Sequence, residues 1–328
     1  MNIRQSPAVN IRHAGVLDSI TQHKKQMLMK PAKQLHALPA FTAMLTALLL
    51  MAIPHDAYPG EKPAYALFDR NGVPVDYATM LERALESDVV LFGELHNNPI
   101  AHWLQYELTR DLHAVAGQNL ILGAEMFETD NQLLLDEYVG GLIAERNFRA
   151  EAKLWNNYNT DYRPLVDFAR DHQLRFIATN IPRRYASLVN REGFEGLERL
   201  APEARALIPP LPVPYDPELP GYKAMLEMEG MPGHVSENFP KAQAIKDATM
   251  AHFIYQNMTG GGIFLHFHGT YHSNNYEGIV WYLRQISDRI LMLTISTVEQ
   301  DDISSLNADF VGQADFILAV PSSMTKTY

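Results

Sequence analysis

A chain of 328 residues with 47% hydrophobic content can bury a sizeable core in one or two domains, which excludes global disorder. The net charge is −11, and because residues 1–57 carry +4, the remainder carries −15; so acidic a body repels phosphate backbones, no basic patch interrupts it, and no nucleic-acid partner is expected. The absence of cysteine excludes a disulfide framework, thiolate metal ligands, a cysteine nucleophile and lipid attachment at cysteine, so the protein is not expected to be a lipoprotein.

In chain order, residues 1–57 read as a leader. Lys24, Lys25, Lys30 and Lys33 precede an uncharged stretch at 37–54 whose densest apolar part is 41–53, the pattern of a basic n-region followed by an h-region. A buried amphipathic helix would show a polar face here, and the stretch has none. The apolar part is shorter than the ~20 residues of a membrane-spanning helix. Ala57 offers a small residue at −1 of a cleavage site, but His55 stands at −3, and Met27 and Met29 are alternative starts. The expectation is export to the periplasm, with an uncleaved N-terminal helix in the inner membrane as the alternative.

Pro59, Gly60 and Pro63 mark a linker at 58–64, and a single domain is expected over 65–328. Within it, short and nearly continuous apolar runs at 88–92, 119–122, 175–178, 263–267, 290–295 and 316–320 predict strands covered on both faces. Segments of helical periodicity at 100–115, 130–138, 162–172, 239–258 and 277–287 lie between them. The alternation predicts an α/β fold, a mostly parallel sheet with helices on both faces. One insertion, about 190–240, breaks the rhythm: 208–220 holds six prolines, and 222–239 is rich in methionine, glycine and glutamate. A plain surface insertion and a lid or soft apolar wall beside a site are equally compatible with that composition.

In open parallel sheets ligands lie beyond the carboxyl ends of the strands, and these exits are strongly polar here. The first strand leads into Gly93-Glu94-Leu95-His96, the second into Gly123-Ala124-Glu125, and the fourth runs through His266 and His268 into Gly269-Thr270-Tyr271-His272. The Gly-x-x-His spacing thus occurs twice, each time after a predicted strand. His96, Glu125, His268 and His272 are candidate nitrogen and oxygen donors to manganese, zinc or iron, and Glu94, His96, Glu125 and His272 could equally activate a water for hydrolysis. The plainer alternatives are surface histidines, and glutamates that cap the helices following them. His102 and His113 share a helix with Trp103, Leu104 and Leu108 and read as structural or solvated.

At these residues the sequence resembles the ChaN-like haem-binding proteins, a group of exported, iron-regulated bacterial proteins related to the Tiki metalloprotease and erythromycin-esterase superfamily. The resemblance spans residues 65–320 and rests on Val90-Leu91-Phe92-Gly93-Glu94-Leu95-His96, Gly123-Ala124-Glu125-Met126-Phe127, Ala178-Thr179-Asn180-Ile181-Pro182-Arg183, the stretch 242–251 and Gly269-Thr270-Tyr271-His272. It implies haem binding in iron acquisition or handling, a tyrosine ligand to iron, haem pairing across a homodimer, and handover to a haem transporter component. The superfamily relation implies instead a metal-dependent hydrolase at the two Gly-x-x-His motifs. Many members carry a lipid-bearing cysteine that this chain lacks. Tyr158 and Tyr162 are the candidate haem ligands, with aromatic neighbours for the porphyrin and Arg163 for a propionate; the alternative is that these aromatics pack a helix start.

Overall fold

The structure is a computed structural model that describes residues 62–227 and 236–328. The 1–57 leader and most of the 58–64 linker lie outside the described residues. Among the described residues, no helix is long and apolar enough to cross a membrane.

The chain enters through a hairpin, β1 (Ala66–Asp69) and β2 (Pro74–Val75), and a helix α1 (Tyr77–Leu85) capped by the Asp76 carboxylate on the Thr79 amide. Then follow β3 (Val89–Glu94), α2 (Pro99–Ala116), β4 (Leu120–Glu128), α3 (Gln132–Val139), α4 (Glu145–Glu151), a π-helical turn (Tyr158–Tyr162) running into α5 (Arg163–His172), β5 (Phe176–Asn180) and α6 (Arg183–Glu192). The insertion supplies a 3-10 helix (Phe194–Arg199) and two short helices, α7 (Pro202–Arg205) and α8 (Pro220–Glu227). The prolines at 208–217 hold the stretch between α7 and α8 free of regular structure. The chain ends with α9 (Phe239–Asn257), β6 (Ile263–Gly269), α10 (Ile279–Ile286), β7 (Met292–Gln300) and β8 (Phe316–Pro321).

The eight strands form one sheet in the order β2-β1-β8-β7-β3-β6-β4-β5. β8 through β5 are parallel to one another, and β1 pairs antiparallel with both β2 and β8. Alternation along β3 shows why both faces had to be covered. Val90 and Phe92 join Leu104 and Leu108 of α2, Leu135 of α3 and Leu165 of α5 in one core. Val89 and Leu91 join Val189 of α6, Ile245 and Ile254 of α9 and Leu283 of α10 in the other. Each fully buried Leu, Ile, Val or Phe contributes roughly 1.5–3 kcal/mol relative to exposure, so the two cores hold the sheet from both sides.

The expected α/β architecture is what the structure shows. Two differences matter for the site. β3, β4 and β6 run past the ends of their apolar runs, so that Glu94, Glu125 and His268 are strand residues rather than loop residues. Each of these buried polar side chains finds partners of its own: Glu94 in His96, Tyr162 and Gln105, Glu125 in the Gly269 amide and His272, and His268 in His266 and Ser273. The β1–β2 hairpin was not expected, since a two-residue strand has no periodicity to read.

Candidate functional site

β3 lies between β6 and β7 in the sheet while the chain leaves it for β4, on the far side of β6, so the carboxyl ends of β3, β6 and β4 bound a crevice. The register sets Glu94 opposite Gly269. A side chain at Gly269 would place its Cβ 2.8 Å from Cε1 and Nε2 of His96, so glycine is what lets that imidazole close onto the strand end.

Glu94 is buried and held by four groups. His96 Nδ1 donates to its Oε1 at 2.9 Å, the Tyr162 hydroxyl to the same oxygen at 2.7 Å and Gln105 Nε2 to its Oε2 at 2.7 Å, while His102 Nδ1 stands 3.6 Å from Oε2. His102 in turn faces the His96 carbonyl at 3.1 Å and Asp161 Oδ2 at 3.5 Å. Glu94 does not cap the helix after it; Asn98 does, accepting from the amides of Ile100 and Ala101. With Nδ1 taken by Glu94, His96 keeps Nε2 for a ligand or a proton. Burial would lower its pKa, but the bond to Glu94 and the charge of Glu125 overcome this and raise it.

On β4, the register breaks after Ala124, and Glu125 turns toward β6, where its Oε2 accepts the Gly269 amide at 2.8 Å. Its Oε1 lies 3.2 Å from His272 Nε2. The other nitrogen of His272 donates to Asp247 on α9, whose second oxygen accepts from Tyr222 on α8 at 2.8 Å. His272 is thus an imidazole between two carboxylates with both nitrogens used. Burial alone would push its pKa down, but Glu125 and Asp247 raise it to about 10, so it stands as a fixed imidazolium at neutral pH. Burial raises the pKa of Glu125, and this too is overcome: His272, His96 and the Gly269 amide hold it far below the usual carboxylate range.

Both arrangements open on one cleft of about 540 Å³, lined by Glu94, Leu95, His96, Asn97, Glu125, Met225, Gln243, Lys246, Gly269, Thr270, Tyr271, His272 and Tyr328. The four residues expected to share a site, Glu94, His96, Glu125 and His272, do line the same cleft. His268, expected as a metal donor, faces away from it: its nitrogens meet His266 Nδ1 at 3.1 Å and Ser273 Oγ at 2.8 Å. Burial and the charge of His272 lower its pKa to about 3. Among the described residues, no group of three or more His, Asp or Glu side chains is arranged to hold a metal ion. The donors expected for manganese, zinc or iron are committed elsewhere, His272 to two carboxylates and His268 to its neighbours.

The expected haem residues are not presented to the cleft either. Tyr162 is 2% exposed with its hydroxyl on Glu94, and Tyr158 is 3% exposed with its hydroxyl buried and unpartnered among the described residues. Arg163 is engaged by Glu145 and Asp167. The π-helical turn directs both phenols into the core, and the phenols that line the cleft are Tyr271 and Tyr328.

A family model described as haem-binding uptake, Tiki superfamily, ChaN, matches residues 80–283, which includes every strand of the crevice. The chain belongs to this family. The ChaN structure of Campylobacter jejuni, described as binding haem cofacially, covers 80% of this chain and 98% of its own at 14% identity with a TM-score of 0.57, a likeness of fold. An erythromycin esterase covers 80% of this chain and 98% of its own at 10% identity with a TM-score of 0.47. Among curated proteins, RETICULATA-RELATED 5, chloroplastic, of Arabidopsis thaliana is 24% identical over 212 residues; the match takes in 61% of this chain and 29% of that protein's length.

In this ChaN-family chain several site residues escaped the sequence reading. His102 supports Glu94 directly, although it reads as structural or solvated. Asp247 had a visible signal, being a carboxylate among the buried Ala244, Ile245 and Ala248 of α9. Asp161, Gln105, Lys246 and Tyr328 had none, since their placement depends on which distant strand ends meet.

Proposed function

We propose that this chain binds haem in the cleft at the carboxyl ends of β3, β6 and β4. Membership of a haem-binding family supports the reading, and one observation carries it: the cleft combines an open mouth with the groups a haem requires. Haem is a flat apolar plate with two carboxylates, and its iron takes an axial oxygen or nitrogen. Leu95, Met225 and the rings of Tyr271 and Tyr328 offer apolar surface, Lys246 a cation for a propionate, and His96 and Tyr271 the donor atoms. Tyr271 is 44% exposed at the rim, its hydroxyl donating to the Gly221 carbonyl. Burial, aided by the charges of Asp247 and Glu277, pushes its pKa up to about 12, so it meets a ligand as the neutral phenol. Bound haem supplies the iron centre; the chain's residues hold it, orient it and limit its contact with water.

Haem titration followed in the Soret region tests this. A saturable band at micromolar haem, displaced by Tyr271→Phe or His96→Ala, is expected. No saturable change in the unaltered protein would end the reading.

Three extensions belong to the same proposal. Export, and with it a role in iron acquisition, is supported by the basic and then apolar pattern of residues 24–54. Pairing of two copies over haem is supported by the aromatic side chains exposed at the cleft, Tyr271 and Tyr328; size-exclusion chromatography with and without haem tests it. Handover to a transporter component is supported only by the open mouth of the cleft, through which a ligand can leave.

A second reading is favoured by a separate observation, the imidazole–carboxylate pairs Glu94–His96 and Glu125–His272 facing one cleft. In it, His96 activates a water and the His272 cation steadies developing negative charge, which gives hydrolysis. Ester cleavage that is lost in His96→Ala and insensitive to haem would favour it over haem carriage.

A further inference from the structure

We propose that residues 322–328 form a wall of the cleft and that Tyr328 is a ligand-contacting residue on it; the identity of the ligand rests on the haem reading above. β8 ends at Pro321, and the Met324 amide donates back to the Pro321 carbonyl at 2.9 Å, turning the chain toward the strand ends. Three contacts then fix the segment. Lys326 pairs with Glu299, the Thr327 amide donates to the Asn97 carbonyl at 3.0 Å, and the Thr327 hydroxyl donates to Asp161 Oδ2 at 3.0 Å.

The two Thr327 anchors lie on the site, whereas the Lys326 pair holds the segment to β7. Asn97 follows His96, and Asp161 belongs to the buried group behind Glu94 through His102. A segment that served only to cover core would bury apolar side chains. This one spends directional hydrogen bonds on the site and leaves its aromatic residue 67% exposed. Among the described residues the Tyr328 phenol has no hydrogen-bond partner. Its backbone is fixed by the adjacent Thr327, so little further ordering is required when a ligand arrives. An open aromatic face beside Glu94 and His96 suits a flat conjugated ligand, against which a ring packs with both hydrophobic and quadrupolar gain.

The test uses Tyr328→Ala and Thr327→Val in the full chain, the first removing the ring and the second the bond to Asp161 while keeping side-chain shape. With haem, the dissociation rate is expected to rise about three- to tenfold in Tyr328→Ala, the scale of one aromatic contact, and less in Thr327→Val. Without any ligand, modification of His96 by diethyl pyrocarbonate, read by peptide mass, is expected to accelerate in both variants because the wall shields that imidazole. If the unaltered protein binds haem and both variants release it at the unaltered rate, the wall is overturned and haem binding stands. If the unaltered protein binds no haem, the haem reading fails on its own, and His96 modification decides the wall: faster modification supports it, and equal rates overturn it.

Discussion

Replacing His272 by glutamine removes the cation between Glu125 and Asp247 and leaves two buried carboxylates to face each other across a neutral amide. Breaking a buried charge pair by removing one partner costs about 3–5 kcal/mol. The pH dependence makes the cause identifiable. The folded-state pKa of His272 is raised to about 10 from an ordinary value of 6.5, so its contribution is fully present below pH 6.5 and is lost as pH climbs toward 10. Over that window each pH unit changes the folding equilibrium of the unaltered protein by up to about tenfold, giving at most about 5 kcal/mol in total. Urea unfolding at unit steps from pH 6 to 10 should therefore show a falling midpoint in the unaltered protein, a flatter profile in His272→Gln, and convergence of the two at the alkaline end. Parallel profiles would refute the argument, because they would mean that His272 is uncharged in the folded protein at pH 7.

Three further outcomes follow from single contacts. In Gly269→Ala the new methyl would lie 2.8 Å from the His96 ring and 3.6 Å from Glu125 Oε2, so the imidazole must move; haem affinity should fall about tenfold for a stability loss of about 1–3 kcal/mol, and unchanged affinity would exclude His96 from the binding site. Tyr162→Phe removes a 2.7 Å bond to the buried Glu94 carboxylate and should cost about 1.5–3 kcal/mol in urea unfolding, whereas a cost near zero would show that Gln105 and His96 satisfy Glu94 alone. Tyr158→Phe should leave the haem spectrum where it is while Tyr271→Phe displaces it; the reverse would return Tyr158 to the role of ligand.

How far the fold and the site could be read from the chain depends on where each signal is stored. The six parallel strands were legible because burial on both faces forces an uninterrupted apolar run, as in Val89-Val90-Leu91-Phe92. Their carboxyl ends were not, because a glutamate reads as the end of a strand unless its counter-charge is known. Glu125 stays in β4 because His272, which lies 147 positions further along the chain, supplies that charge. The motif glycines could be read as places of close approach, and Gly269 is one. What approaches it, the His96 ring, is a property of register, since Glu94 pairs with Gly269 only once β3 and β6 are neighbours. Tyr158 and Tyr162 were misplaced for a related reason: their aromatic and polar neighbours suggest a ligand site as readily as a core, and only the π-helical turn before α5 sends both hydroxyls inward.

The two Gly-x-x-His motifs look equivalent as text and end in unequal chemistry. Backbone placement is similar, with each histidine a short step past a parallel strand. The difference lies in what surrounds each ring. His96 has a 35% exposed side chain, one carboxylate partner and a spare nitrogen, whereas His272 is 6% exposed with both nitrogens committed. An imidazole of the second kind is poorly suited to exchange a proton or accept a metal at neutral pH, because doing either means giving up a proton stabilised by two carboxylates. It can act only as a fixed charge that holds Glu125 ionised, and with it the Glu125 bond to the Gly269 amide that helps to shape the pocket for His96. On either proposed reading the work at this cleft falls to His96 and the rim residues Tyr271, Lys246 and Tyr328, while the second motif sets the field around them.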